Sequence, residues 1–366
     1  MKIGLELEYW VVDERGRLST VNELLASHPC VTHEFVDSLL EICVPPAETT
    51  EELRWRVNDI LSTVISVGRG CGKRLVPLGT PLSTHDLPII TERGHILERI
   101  YGTELQYAKH CAGTHIHFDR RNEQRQLNLL TALDPALALV NSSPYYDGER
   151  VASSSRALLY RLDSSSQFSR YRDLWNYADS TIEWEARVTS AYKRLETVAR
   201  ERGISEAAFT AYFCPENAMS TPVRLREVPP TVEWRAPDTA LPSQTVQLAG
   251  EMAALLSLTD DKDVVVGSNP GIGADSITIP RFSELRTLSD RAIADGLHSE
   301  AVRAYLGAFG FDVSAYHPLS EEIEMENEAT ITEEEARALR LRYAARLEAD
   351  VASLAPATQR VPREVI

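Results

Sequence analysis

Gly4-Leu5-Glu6-Leu7-Glu8-Tyr9-Trp10 places two carboxylates two residues apart in a run of strand-forming apolar residues. Side chains of an extended strand alternate between faces, so Glu6 and Glu8 point one way and Leu5, Leu7 and Tyr9 the other. Two like charges on one half-buried face repel each other and lose hydration, at a cost of roughly several kcal/mol unless a cation lies between them. Two readings stand at this point: a divalent-metal site, or an edge strand whose second face is solvated.

The same period-two arrangement recurs. In Gly113-Thr114-His115-Ile116-His117-Phe118-Asp119 the two histidines share a face, with Ile116 and Phe118 on the other. In Thr231-Val232-Glu233-Trp234-Arg235-Ala236 Glu233 and Arg235 share a face, opposite Val232 and Trp234. A further acid, Glu41, sits in the short apolar run Ser38-Leu39-Leu40-Glu41-Ile42-Cys43-Val44, a strand expected to stop at Pro45-Pro46. A single acid there suits either a metal or a pairing arginine.

The 366 residues are 43% apolar, enough for a substantial core in one large or two smaller domains. No apolar run approaches a membrane span, and the chain enters its first strand without a charged leader, so the expected setting is the cytoplasm with no membrane contact. Five cysteines without a Cys-x-x-Cys pair suggest reduced, buried thiols with no catalytic role. A net charge of -16 argues against nucleic-acid binding, which requires a basic footprint. Only Lys2, Lys73, Lys109, Lys193 and Lys262 among 38 basic residues are lysine, a bias that fits either a salt-adapted or a GC-rich source.

The pattern predicts mixed α and β structure. Thr49 or Thr50 caps a helix presenting Leu53, Val57, Ile60, Leu61, Val64 and Val67 and ending near Gly68-Arg69-Gly70. Further helices are expected at about residues 88 to 108 and 123 to 140. Thr181-Ile182-Glu183-Trp184-Glu185 echoes the Glu233 strand, but Trp184, Val188, Ala191, Leu195 and Val198 follow helical spacing behind a Ser180 cap, making Glu183 and Glu185 helix-surface acids. Leu339, Tyr343, Leu347, Val351 and Leu354 mark a last helix in an acidic segment from about 320 to 366, with a frayed tail from Pro356.

Two nucleotide-like signals fail. Gly72-Lys73 lacks both the earlier P-loop glycine and the following hydroxyl residue, and Gly271-Ile272-Gly273 lacks the third glycine and the acid of a dinucleotide fingerprint. Ser142-Ser143-Pro144-Tyr145-Tyr146-Asp147-Gly148-Glu149-Arg150, followed by Arg156, is either a surface loop or a hydroxyl-and-arginine grip for a carboxylate or phosphate.

Taken in order, Gly-x-Glu-x-Glu-Tyr, the acid Glu41 before proline, Gly-Thr-His-Ile-His, Ser-Ser-Pro-Tyr-Tyr-x-Gly and Thr-Val-Glu-Trp-Arg-Ala-Pro-Asp resemble the glutamate–cysteine ligase type 2 family. The nearest likeness is to the γ-glutamylcysteine synthetases of halophilic archaea, and the match covers roughly residues 1 to 260. The resemblance implies a single glutamine-synthetase-like α+β domain over residues 1–366, a curved and largely antiparallel sheet with helices on its outer face. It implies ATP-dependent joining of the γ-carboxylate of glutamate to an amine, with Mg²⁺, or Mn²⁺ in its place, as the metal and with small-molecule substrates as partners. A homo-oligomer is compatible with it.

Carried over, Glu6, Glu8, Glu41, His115 and Glu233 would be metal ligands. Arg235 would act at the phosphates with Glu233, His117 on the nucleotide side, and Arg156 and then Arg150 on a substrate carboxylate. Independently of the resemblance, a carboxylate-rich set with one or two imidazoles suits a hard cation better than zinc. The family's later Glu-Asn-Arg-Trp motif is missing from residues 261–285, which leaves the acceptor amine open.

Overall fold

The computed structural model describes residues 1–355 except Thr84 and residues 162–167, so the tail from Pro356 lies outside the described residues. Seven strands form the main sheet: β1 (Ile3–Asp13), β2 (Val31–His33), β3 (Leu39–Ala47), β4 (Lys73–Val76), β5 (Thr114–Asp119), β6 (Val223–Arg226) and β7 (Thr231–Trp234). Their order is β2-β3-β1-β5-β7-β6, with β4 beside the far end of β1, and every neighbouring pair is antiparallel. β3 runs through Pro45-Pro46 to Ala47, past the expected stop. Its pairing with β2 ends at Ile42, so prolines beyond that point remove no ladder bond on that side.

One face of the sheet is apolar, as alternation requires. Leu5, Leu7 and Tyr9, Leu40 and Ile42, Ile116 and Phe118, and Val232 and Trp234 are buried in a common core. Over it lies α1 (Thr50–Gly70), whose N-cap Thr49 accepts a hydrogen bond from Glu52 N at 3.1 Å. Leu53, Val57, Ile60, Leu61 and Val64 recur on the buried side of α1, whereas Val67 is left exposed near its end. Each fully buried aliphatic side chain of this kind contributes about 1.5–3 kcal/mol, so Leu61→Ala would cost about 2–5 kcal/mol.

Two expected helices are shorter than their apolar spacing suggests. The 88–108 segment divides into α2 (Glu92–Tyr101) and α3 (Leu105–Lys109), because Gly102 adopts φ 59°, a left-handed conformation that ends the first helix. The 123–140 segment is α4 (Glu123–Ala132) followed by a 3-10 turn over Asp134–Val140, with Pro135 unable to continue the α-helical bonding. After α5 (Ser155–Arg161), α6 (Thr181–Glu201) carries Glu183 and Glu185 as helix residues, and the Ser180 side chain accepts from Glu183 N. α7 (Pro242–Ser257) and the terminal α8 (Glu333–Leu354) pack with α1 on the apolar side.

The antiparallel sheet with helices over its apolar face is the α+β arrangement expected from the sequence. Among the described residues no helix is long and apolar enough to cross a membrane. All five cysteines are reduced, but only Cys111 is buried; Cys30 and Cys214 are half-buried, and Cys43 and Cys71 are exposed, against the expectation of five core thiols.

Candidate active site

Strand register assembles the polar face of the sheet. Glu8 of β1 stands opposite Glu41 of β3, Glu6 opposite His115 of β5, and Glu233 of β7 opposite both His117 of β5 and Arg224 of β6. Directly opposed residues point to the same side of a sheet, so five strands deliver their ionisable groups to one surface. Part of that surface, with Glu6, Glu8, Glu41, His115, Arg224 and Arg235, lines an open cleft.

Two groups of metal-competent atoms form there. Glu6, His117 and Glu233 bring one ligand atom each to within 4.8 Å of one another, and so do Glu8, Glu34 and Glu41. His115 lies between the groups: its Nδ1 is 2.7 Å from Glu6 Oε2 and 4.0 Å from Glu233 Oε1, and its Nε2 is 3.5 Å from Glu8 Oε1. His117 Nε2 is 3.2 Å from Glu6 Oε1. Both Nε2 atoms are buried and make no hydrogen bond among the described residues. The imidazole of His117 is oriented by Thr231 Oγ1, 3.0 Å from Nδ1.

The two groups differ electrostatically. Burial and the neighbouring Glu34 carboxylate push Glu8 up to about 8, and burial with Glu34 also raises Glu41 well above the usual carboxylate range. Burial opposes ionisation of Glu6 as well, but the hydrogen bond with His115 and the closeness of the His117 imidazole hold its carboxyl far below that range. Glu233 is buried too, and Arg224 and Arg235 keep it ionised. Burial, reinforced by Arg235, lowers His115 to about 3 and leaves a neutral imidazole, the form that can donate a lone pair to a metal. Three crowded carboxylates beside such a ring are a donor set suited to a hard divalent cation.

Facing these acids is a wall of arginines: Arg93, Arg156, Arg172, Arg224, Arg226 and Arg235 all line the cleft. Glu233 anchors part of it, accepting from Arg224 Nη2 at 2.7 Å and from Arg235 Nη1 at 2.5 Å. Arg156, at the start of α5, donates to the carbonyl oxygens of Arg235 (3.4 Å) and Ala236 (3.2 Å). It passes so close to Gly113 that a Cβ there would lie 2.1 Å from Arg156 Nη2. The serines of the segment leading to Arg156 are buried, and Ser142 N and Ser154 Oγ both donate to Asp238, while Asp147 and residues 149–151 between them lie at the surface.

The structure therefore brings together Glu6, Glu8, Glu41, His115, His117, Glu233, Arg235 and Arg156. Arg150 is the exception and corrects the reading of it as a carboxylate grip. It lies exposed outside the cleft, where Nη2 donates to the carbonyls of Glu324 (3.1 Å), Asn327 (2.5 Å) and Glu328 (3.1 Å). Glu34, Arg93, Arg172, Arg224 and Arg226 belong to the site without having been singled out. For Arg224 and Arg226 a signal existed, since Val223-Arg224-Leu225-Arg226 alternates like the other strands. Glu34 follows a three-residue strand and has no such pattern around it.

A family model described as glutamate-cysteine ligase family 2 (GCS2) matches residues 2–354, well past the region covered by the motif resemblance. The "Putative glutamate--cysteine ligase 2" of Salinispora arenicola is 25% identical over 321 residues, covering 82% of this chain and 76% of that protein. The "Putative glutamate--cysteine ligase 2-1" of Rhodococcus jostii is 27% identical over 316 residues, with 82% and 77% covered. The similarly named Mycolicibacterium smegmatis protein is 27% identical over 171 residues, 43% of this chain, and the match spans only 46% of its length. Among solved structures, a bifunctional glutathione synthetase from Pasteurella multocida superposes with a TM-score of 0.55 at 17% identity, over 95% of this chain and 52% of that one, a likeness of fold.

Proposed function

The chain belongs to the glutamate–cysteine ligase family 2, and on that footing we propose that it is an ATP-dependent carboxylate-amine ligase. In this reading it joins the γ-carboxylate of L-glutamate to the amine of L-cysteine through a γ-glutamyl phosphate, giving γ-glutamylcysteine, ADP and phosphate. The observation that carries it is one cleft lined by Glu6, Glu8, Glu34, Glu41 and His115 together with six arginines, with His117 and Glu233 grouped beside Glu6. Phosphoryl transfer to a carboxylate needs both kinds of wall, one for cations and one for anionic substrate and phosphate.

Divalent cations of the magnesium type, or manganese in their place, would be held by Glu6 and Glu233 with His117 and by Glu8 and Glu41 with Glu34, His115 lying between the two groups, and would supply neutralisation of phosphate charge. Arg235 meets the transferred phosphoryl group, and Glu233 fixes the direction of that guanidinium. Arg156 holds a substrate carboxylate near the reacting end. The buried floor keeps bulk water from the acyl phosphate, so that the amine is the nucleophile that attacks it. Proton loss from the attacking amine and departure of phosphate complete the exchange, and no covalent enzyme intermediate is needed. Reduced thiols and the consumption of ATP suit a cytoplasmic enzyme.

The missing Glu-Asn-Arg-Trp element favours keeping another amino acid or small amine as a second acceptor reading. A panel of amines supplied with ATP, glutamate and Mg²⁺ tests both. ADP release that requires glutamate and one amine together, with the γ-glutamyl product seen by mass, is the expected outcome. Amide cleavage without ATP would replace the ligase reading by a metal-dependent hydrolase.

A further inference from the structure

The outer edge of the polar face carries two thiols that the mechanism above does not use. Cys43 of β3 stands directly opposite Glu6 of β1, and its Sγ donates to Glu41 Oε1 at 3.2 Å. On the other side β2 pairs with β3 through Val31 opposite Ile42, and one step further along the same register Cys30 faces Cys43. Cys43 N donates to Cys30 O at 2.9 Å, which continues the ladder to that pair. Cys30 N donates in turn to His28 Nδ1 at 3.1 Å, which fixes the residue at the start of the strand.

Residues opposed in this hydrogen-bonded way have Cα atoms about 5.5 Å apart, inside the span that a disulfide bridges. Cys30 is half-buried and Cys43 exposed, so a small reagent reaches them without unfolding of the core. β2 is a three-residue edge strand, and Glu34, the third acid of the Glu8–Glu34–Glu41 group, follows it directly. A covalent tie between β2 and β3 therefore holds Glu34 beside Glu41 and takes the S–H donor away from the Glu41 carboxylate. A cation entering the group then no longer competes with that hydrogen bond.

We propose that Cys30 and Cys43 form a reversible thiol–disulfide site that, when oxidised, strengthens cation binding at the Glu8–Glu34–Glu41 group. The oxidant is a low-molecular-weight disulfide. One protein sulfur attacks it, the small S–S bond breaks and one small thiol leaves; the second protein sulfur then displaces the other small thiol and closes the Cys30–Cys43 bond. The protein gives up two electrons and two thiol protons, and both pass to the released small thiols. The pair sits at the edge of the sheet in an otherwise reduced chain, a position that suits a labile, regulatory bridge better than a structural one. The cross-link is independent of the ligase reading, while its effect on the cation rests on the metal assignment of Glu41.

The test incubates the folded full chain in glutathione buffers of rising oxidised fraction, blocks the remaining thiols and maps the products by mass. Cleavage after Glu34 or Glu41 separates the two cysteines unless they are bridged. Mn²⁺ affinity of the oxidised and reduced forms is then measured by titration. Wild type should give the Cys30–Cys43 linked peptide, reversed by reductant, and should bind Mn²⁺ roughly threefold or more tightly when oxidised, the worth of a weak hydrogen bond. Cys30→Ser keeps the Cys43 donor and should stay at the reduced affinity in either buffer. Cys43→Ala lacks the donor and should show part of the gain even with reductant. No linked peptide from folded protein, or a linked form whose Mn²⁺ affinity equals that of the reduced form, overturns the proposal. A linked peptide beside no Mn²⁺ binding in either form would instead remove the metal assignment and leave the cross-link standing.

Discussion

Glu8 of β1 and Glu41 of β3 stand directly opposite each other across an antiparallel strand pair, with Glu34 close enough to complete a triangle of carboxylates. Directly opposed like charges destabilise a sheet, and here both carboxyls are desolvated as well. The arrangement is stable when protons or a cation occupy it, and it is repulsive otherwise.

A pH dependence follows for the metal-free protein. The Glu8 carboxyl titrates at about 8 in the fold, against 4.5 ordinarily, so the folded state holds the extra proton between those values. Raising the pH through that window therefore lowers stability, and the loss is complete once pH passes the folded value. Glu6 and Glu233 are depressed instead, so their contribution is already complete above the ordinary carboxylate range. His115, held neutral, costs stability only as pH falls below its ordinary 6.5. Thermal unfolding of metal-free protein should fall by roughly several degrees between about pH 7 and pH 8.5. Saturating Mg²⁺ should remove most of that fall.

Glu41→Gln and Glu233→Gln should act in opposite directions on the metal-free fold. At alkaline pH, where the cluster has lost its protons, removing the Glu41 charge relieves the Glu8–Glu34–Glu41 repulsion, so the unfolding midpoint rises there while the response to Mg²⁺ weakens. Glu233 compensates the buried Arg224 and Arg235, so its neutralisation should cost about 3–5 kcal/mol. Denaturant titration of the two variants beside the wild type measures both signs. A rise for both would show that Glu233 is not needed to balance its arginines.

Gly113→Ala should disturb the site without adding or removing any charge. Its new methyl would meet Arg156 Nη2 at 2.1 Å and force the guanidinium out of place. Overpacking of this kind costs about 1–3 kcal/mol, and affinity for a carboxylate substrate should fall in parallel. Gly70→Ala is the control, since nothing lies within 4 Å of the added atom. At the end of α1 it should be neutral or stabilising by up to about 1 kcal/mol.

Arg150→Ala should leave substrate affinity unchanged. The guanidinium ties the Glu149–Arg150 strand to carbonyls of residues 324–328, outside the cleft. A stability loss of about 1–2 kcal/mol with an unaltered KM for glutamate is expected. A large rise in that KM with the fold intact would return Arg150 to the substrate site.

The legible part of the site was the part carried by strand alternation. Glu6 with Glu8, His115 with His117, and Glu233 with Arg235 each declare a shared face through a spacing of two, and antiparallel register then brings those faces together. Arg93 and Arg172 could not be read this way. One lies on α2 and the other just after a 3-10 turn, and they reach the cleft only because Tyr101, Tyr160 and Phe213 pack around them. Arg150 misled for the complementary reason: residue type suggested an anion grip, while its partners turned out to be backbone carbonyls distant in sequence. The overlong helices failed at Gly102 and Pro135, where local backbone chemistry overrode apolar spacing.

The central claim is that widely separated acids and imidazoles converge on the polar face of one sheet to hold hard cations. Anomalous diffraction from crystals soaked in Mn²⁺, used as a scattering stand-in for magnesium, tests it most directly. The account predicts peaks within the Glu6–His117–Glu233 group beside His115 and within the Glu8–Glu34–Glu41 group. Manganese bound only at scattered surface acids, with neither group occupied at saturating concentration, would contradict it.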